Sequence, residues 1–549
     1  MYEKNSLEWK DGKPDVLVIG CGVSAISLAI ELEKSLNIQP RIYEKAAEAG
    51  GTWFLNTYPG CACDVPAHWY SLSTELNPNW SSQYATQPEI LAYWRKIYEK
   101  YKISRFVTFN TTFLKAVYHT SPLPYYEVTL LSSSGQPFKT TCHVLISTVG
   151  GFSVPLMTPA NLPITGLENF RGEMFHSAAW NWKVDLKGKR VAAIGNGCSA
   201  SQFVAEIGKE EWGLEWLGNW VRTPNWYMDR DQFKYSGFSK WFLRNVPGAN
   251  RAWRIFLWGS RDVAWPVWVL DRHLLRNYAE WQARRYMKKT APKEYLDWLI
   301  PKYPFGCKRV ILDPGYLEVL HRPNVELVTN PIDHVTEDSI VNKDGTETKV
   351  DVIILGTGFD VAGAGTGLDI IGKNGKRLID QWNEEGGPQA YLGTTVKNFP
   401  NVYFILGPNV ATGHTSALTS IECQIGYIVQ MVGAMVNYRA EAFEVKAEAE
   451  NNYNDDLRRR LKNSVWQGGC STYYNHGSKT VATFPGPVAK YWWLTKTPVW
   501  RDYIQVGGKQ SVAQAKRVKK ILFSLFFALS ALLVGFLQAR GQLSNLISA

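Results

Sequence analysis

Twice in this chain a short apolar run ends in glycine-x-glycine and passes straight into a helical pattern, and this duplication restricts the fold more than any other feature. Asp15 to Gly20 (DVLVIG) is followed by helical periodicity from Ala25 to Leu32 and by an apolar strand at Gln39 to Glu44. Arg190 to Gly195 (RVAAIG) leads into a helix from about Ser199, with the next strand at Trp216 to Arg222. Each is a β-α-β opening, so an α/β fold with two nucleotide sites is expected. The 549 residues leave room for both, because a single core stops growing well below that length.

In Gly20-Cys-Gly22-Val-Ser24-Ala25 the first glycine permits the tight turn, and the second lets the backbone approach a pyrophosphate at the positive end of the helix. Glu44 stands 24 residues after Gly20, where an acid can accept hydrogen bonds from a ribose. The second turn, Gly195-Asn-Gly197-Cys-Ser199-Ala200, has the same mechanics, but its next strand closes on Arg222-Thr223 instead of an acid. An arginine there favours a ribose 2′-phosphate, hence NADP over NAD, with Lys308 as a second cation. The plain alternative is a surface arginine without a ligand.

Two more apolar runs end in glycine, His143 to Gly150 and Val350 to Gly356, and read as buried return strands, the second marking re-entry into the first domain. Between Thr223 and Phe305 the chain turns rich in Trp, Arg and Tyr and reads as a helical insertion. The formal charge of +11 is scattered, with no long basic run, so no nucleic-acid partner is expected and anionic dinucleotides suit it equally. Cysteines 21, 61, 63, 142, 198, 307, 423 and 470 show neither C-x-x-C nor zinc-like spacing, so neither a disulfide framework nor a structural metal is expected. Met1 to Pro14 is charged and lacks the apolar stretch of a secretory signal, which points to a reducing compartment.

Five further segments carry a resemblance. Ala49 to Asp64 reads AGGTWFLNTYPGCACD, and Phe170 to Trp180 reads FRGEMFHSAAW, with Phe170, Gly172, His176 and Trp180 at a Phe-x-Gly-x-x-x-His-x-x-x-Trp spacing. Cys307 to Asp313 reads CKRVILD; Gly356 to Asp360 (GTGFD) and the stretch from Asn398 to His414 follow. From about residue 15 to about 500 the chain resembles the Baeyer–Villiger monooxygenases of the flavin-containing monooxygenase superfamily. It departs from the usual pattern at position 181, where Asn replaces Pro or Asp. Taken alone, Asp64 is more often a turn residue, His176 a satisfied structural histidine and Arg309 a solvated charge.

The resemblance implies FAD and NADPH as cofactors and a ketone and O2 as substrates. One oxygen atom would enter next to the ketone carbonyl, through a C4a-peroxyflavin, to give an ester or lactone. Arg309 and Asp64 become the expected catalytic residues; Gly51, Thr52, Trp53, Tyr58, Tyr70, Gln202, Gly358 and Asp360 join the glycine turns as cofactor contacts; and His176 becomes an interdomain linker element. The expected division is 1–165 and 355–515 for FAD, 166–354 for NADP with the insertion at about 225–303, and a tail at 516–549. An N- or S-oxygenating flavin monooxygenase and a flavin-binding protein without turnover stay open. A flavin disulfide reductase needs a redox pair, and Cys61 and Cys63 lack the C-x-x-C spacing.

The tail differs from the rest. Ile521 to Leu537 is a 17-residue run without a charge, behind Lys516, Arg517, Lys519 and Lys520. As a helix it reaches about 25 Å, near the short limit for a bilayer core. A membrane-anchored protein with a cytosolic catalytic part is expected, and a cytoplasmic one otherwise.

Overall fold

The computed structural model describes residues 8–158, 163–361, 368–518, 521–522, 524–525 and 527–532. Two five-stranded sheets carry the chain's nucleotide turns. In chain order their strands are β1 (Val16–Ile19), β2 (Arg41–Tyr43), β3 (Val107–Thr108), β4 (Val144–Ser147), β5 (Glu173–His176), β6 (Arg190–Ile194), β7 (Trp216–Trp220), β8 (Val325–Val328), β9 (Val352–Leu355) and β10 (Val402–Phe404). The first sheet has the order β10-β4-β1-β2-β3 and the second β8-β7-β6-β9-β5. Every pairing within them is parallel. Parallel strands are covered on both faces, which is why β1 (VLVI) and β9 (VIIL) are apolar at every position and buried throughout.

Helix α1 (Val23–Leu36) follows β1, and α2 (Cys198–Ile207) follows β6, so each glycine turn joins a strand end to a helix start. Within the Trp-rich segment lie α3 (Gly237–Asn245), α4 (Ala249–Asp262) and α5 (His273–Thr290). Later come α6 (Ala417–Tyr438), which packs on α1, and α7 (Val488–Thr495). Strand β9 lies inside the second sheet, between β6 and β5. The run Val350 to Gly356, expected to mark re-entry into the first domain, instead closes the second unit, and the chain rejoins the first sheet at β10.

A second expectation needs correction. Cys307 and Cys470 form a disulfide across 163 residues, where cysteine spacing offered no reason to expect one. Spacing detects local clusters, and this pair is brought together only by the folded chain path. In the tail, 512–518, 521–522, 524–525 and 527–532 are helical. Among the described residues, however, no helix is long and apolar enough to cross a membrane. Ser524 and Ser530 thin the run, and its last part, 533–537, lies outside the described residues.

Candidate active site

The first turn is built by close backbone approach. Gly20 has φ +95°, and Gly51 has φ +54°, a region that side chains other than glycine rarely adopt. A Cβ on Gly51 would come within 2.9 Å of Gly22 Cα, so the loop after β2 presses directly on the turn. Gly22 caps α1 without a side-chain hydrogen bond, which leaves the first N–H groups of the helix available to an anion. Ser24 and Ala25 are buried behind it. Glu44 accepts from Cys21 N at 2.6 Å and from Ala46 N at 2.8 Å, so the acid expected to face a ribose also braces the turn itself.

Beyond Gly51 and Thr52, the short helix Thr52–Leu55 presents Trp53, whose Nε1 donates to Tyr70 Oη at 3.0 Å. Tyr58 donates to Gln202 Oε1 at 2.9 Å and lies 3.1 Å from Ser199 Oγ. Gln202 in turn donates to Ala62 O at 3.0 Å. Tyr58, Ser199 and Gln202, singled out separately in the sequence, are thus partners that lock the first unit's loop onto α2.

The second turn repeats the geometry. Gly195 has φ +113°, and a Cβ there would sit 2.3 Å from Gly356 O, whereas one on Gly197 would meet nothing within 4 Å. The first glycine is compelled by packing; the second leaves open space above the start of α2, next to Ser199 and the buried Ala200. Asn196 and Asn225, which no motif had marked, clamp this turn: Asn196 Nδ2 donates to Thr223 O at 2.9 Å, and Asn225 Nδ2 to Asn196 O at 2.7 Å. The amide inside Gly-Asn-Gly was the available clue. Past β7, Arg222 is exposed and Lys308 donates to Thr223 Oγ1. Burial, with the charge of Arg222 adding, lowers Lys308 to about 8. Two cations and a hydroxyl converge where a 2′-phosphate is expected.

Next to Lys308, Arg309 pairs with Asp64: Nη2 and Nε lie 2.7 and 2.8 Å from the same carboxylate oxygen. Its Nη1 donates to Gly413 O at 3.3 Å. Burial opposes the guanidinium charge, but Asp64 outweighs it, with the Tyr474 and Tyr473 hydroxyls and the Cys198 thiol adding, so Arg309 is held well above the usual arginine range. The Cys307–Cys470 bond ties the residue before Lys308 to the loop that bears both tyrosines. Sequence spacing revealed neither these tyrosines nor the buried pair beside Gly413, in which His414 Nε2 lies 3.1 Å from Asp262 Oδ1. The His414 ring packs on Trp268 (5.1 Å) and Trp265 (5.4 Å). Burial lowers its pKa, against the opposing pull of the Asp262 carboxylate.

The Phe170 to Trp180 segment forms β5 and a following turn, and it fits its residues closely. A Cβ on Gly172 would come within 2.4 Å of Asp351 O and 2.6 Å of the Phe170 ring. His176 Nδ1 accepts from Ala178 N at 3.0 Å; burial pushes the ring down to about 4, opposed by the Gly358 backbone. Its ring lies 5.5 Å from Phe359, between Gly358 and Asp360. Trp180 packs on Phe175 at 5.2 Å and on Phe203 of α2 at 5.7 Å. This segment therefore stitches β5 to α2 and to the 358–360 loop.

Comparison with known proteins agrees with this geometry. A sequence model of the NAD(P)-binding Rossmann-like domain matches residues 18–86. A Baeyer-Villiger monooxygenase of Pseudomonas aeruginosa is 36% identical over 484 residues, covering 88% of this chain and 89% of the relative. A closed crystal structure of cyclohexanone monooxygenase superposes with a TM-score of 0.77 at 26% identity, over 90% of this chain and 99% of that one. A crystal structure of OTEMO complexed with FAD and NADP gives 0.76 at 26% identity, over 88% of this chain and 97% of that one. The chain therefore belongs to the Baeyer–Villiger monooxygenases, a family of NADPH-dependent flavoenzymes.

Proposed function

We propose that this enzyme inserts one oxygen atom of O2 beside a ketone carbonyl, with FAD and NADPH as cofactors and the Arg309–Asp64 pair at the reacting centre. One observation carries the assignment of roles: a guanidinium held charged by a carboxylate at 2.7 Å lies next to the cation cluster of the second nucleotide turn. The open space above Gly197 and the Arg222, Thr223 and Lys308 donors fit an anionic dinucleotide with a 2′-phosphate. The Gly20 to Ala25 turn, backed by Gly51, would hold FAD. When bound and reduced by NADPH, FAD supplies the activation of O2.

The protein supplies position and charge. Arg309 keeps a permanent positive charge where negative charge develops on the reacting oxygen, and it needs no reorganisation to do so. Asp64 fixes the guanidinium plane. The Trp265, Trp268 and His414 wall keeps water from the centre. Residues 1–165 and 355–515 would form the FAD unit and 166–354 the NADP unit, a division supported by the membership of β1–β4 with β10 and of β5–β9.

Attachment of the tail to a membrane is a separate proposal. It rests on the exposed Ile521, Leu522, Leu525, Leu529 and Leu532 behind Lys516 and Arg517. Fractionation of the full-length protein beside a truncation at Gln514 tests it, and full-length enzyme that stays soluble at physiological salt rejects it.

The test of the activity is a panel of cyclic, linear and aryl ketones with NADPH under 18O2, with products identified by mass spectrometry. Esters or lactones carrying one labelled oxygen are expected. Oxygenation of sulfides or amines alone would transfer the enzyme to the N- or S-oxygenating class. Bound FAD with no NADPH oxidation alongside any ketone would reject turnover.

A further inference from the structure

Helix α4 carries bulky apolar side chains on its outward side as well as its inward side. A surface helix of a soluble protein turns its apolar stripe inward and its charges outward. In α4 the inward side is mixed: Trp253 and Trp258 pack against the core, and beside them Asn250 Oδ1 lies 3.0 Å from His68 Nδ1 and Arg254 pairs with Glu422 at 2.9 Å. Asp262 accepts from Val488 and Ala489 N at the start of α7 and faces His414. Leu257 is the apolar residue buried among them. The opposite side, reached at helical spacing, carries Ile255 and Phe256, 53% and 60% exposed, and leads to Val263 at 80%.

The preceding helix also turns apolar side chains outward. Nothing in α3 is buried. Its Arg244 turns to the protein body, donating to Asn79 Oδ1. Phe238, Trp241 and Phe242, spaced i, i+3, i+4, are 72%, 55% and 43% exposed, and the first two stack with centroids 6.0 Å apart. Two successive helices thus turn bulky apolar side chains outward, a face that suits an apolar partner.

Charge identifies that partner. From Gln232 to Arg261 the chain contains no Asp or Glu but carries Lys234, Lys240, Arg244, Arg251, Arg254 and Arg261. The bounding Asp262 is buried, with both oxygens bonded. Exposed cations such as Lys234 and Arg251 thus accompany the aromatic side chains, and the exposed Asp231 stands just ahead of the segment. Bulky apolar residues interleaved with Lys and Arg on helices are the composition that seats at an anionic lipid interface, rings in the headgroup region and cations on phosphate.

We propose that the outward faces of α3 and α4 dock on an anionic lipid surface. This face is made of residues other than those of the apolar tail run, Ile521 to Leu537. It places the membrane at one side of a helix whose far end, Asp262, reaches the His414 wall of the active site.

The experiment uses the full-length, FAD-loaded protein in co-sedimentation with phosphatidylcholine vesicles, with and without about one third phosphatidylserine. Three forms are compared: wild type, Phe238→Ser/Trp241→Ser/Ile255→Ser/Phe256→Ser, and Leu525→Glu/Leu529→Glu in the tail. The expected result is that wild type pellets with the anionic vesicles and the quadruple variant partitions at least about tenfold less. The tail variant should still respond to phosphatidylserine. Ketone oxygenation with a water-soluble substrate should be unchanged in the quadruple variant, which reports an intact fold. Equal partitioning of wild type and quadruple variant, or wild type left in the supernatant, overturns the proposal. So does light scattering that shows a wild-type dimer dissociated by the four substitutions, because the face would then meet a second copy.

Discussion

Replacing Lys308 by methionine tests how the second nucleotide site recognises its ligand. The ammonium sits in a partly desolvated position, bonded to Thr223 Oγ1 and close to Arg222, and burial with the Arg222 charge lowers it to about 8. A charge-assisted hydrogen bond to a phosphate contributes about 1.5–3 kcal/mol, equivalent to about 10- to 150-fold in affinity. At pH 7 Lys308→Met should raise the Michaelis constant for NADPH by that factor and leave NADH almost unchanged. The sign of the pH effect follows from the lowered value. Below about pH 8 the free enzyme holds the proton and the positive charge; above it, the charge is lost and Arg222 acts alone. Wild-type KM for NADPH should therefore climb as pH passes through about 8, with no matching climb for NADH, and the difference should vanish in the variant. Stability provides the control. A lysine near 10.4 when unfolded and lowered in the fold disfavours folding most below its folded value, and this cost fades as pH rises past about 8. Methionine removes that cost, so Tm at pH 7 should not fall. Steady-state kinetics with both nucleotides from pH 6.5 to 9.5 decide the matter. Equal losses for NADPH and NADH, or a flat wild-type profile, would refute the assignment of Lys308 to the 2′-phosphate.

Other substitutions separate the remaining parts. Arg309→Ala should keep FAD and still oxidise NADPH, while product formation falls about 100- to 1,000-fold as the fixed cation is lost; ester yield near wild type, measured by gas chromatography, contradicts its role. Gly195→Ala places a Cβ 2.3 Å from Gly356 O at φ +113°, so it should abolish NADPH binding by fluorescence titration while FAD absorbance at the first turn persists. Cys307→Ser with Cys470→Ser opens a link spanning 163 residues and should lower unfolding free energy by about 2–5 kcal/mol. Urea curves for that variant coinciding with wild type would mean that the bond does not constrain the unfolded chain.

What the sequence determined by itself is whatever depends on a few neighbouring residues. Gly20-x-Gly22 and Gly195-x-Gly197 announced strand-to-helix turns because a positive φ and a bare Cα are local requirements, and the apolar runs around β1, β6 and β9 announced buried parallel strands for the same reason. Arg309 and Asp64 were marked as well, though only by resemblance to a family, since neither residue type reveals a partner 245 positions away. The tertiary structure alone decided the pairings that set the site's chemistry. Tyr58 meets Gln202 across 144 residues, His414 meets Asp262 across 152, and Cys307 bonds Cys470 across 163. It also decided that α4 turns Arg254 and Asp262 inward beside Leu257, and Ile255 and Phe256 to solvent. Such contacts depend on where the whole chain path brings two distant segments, and spacing along the sequence carries no record of that path.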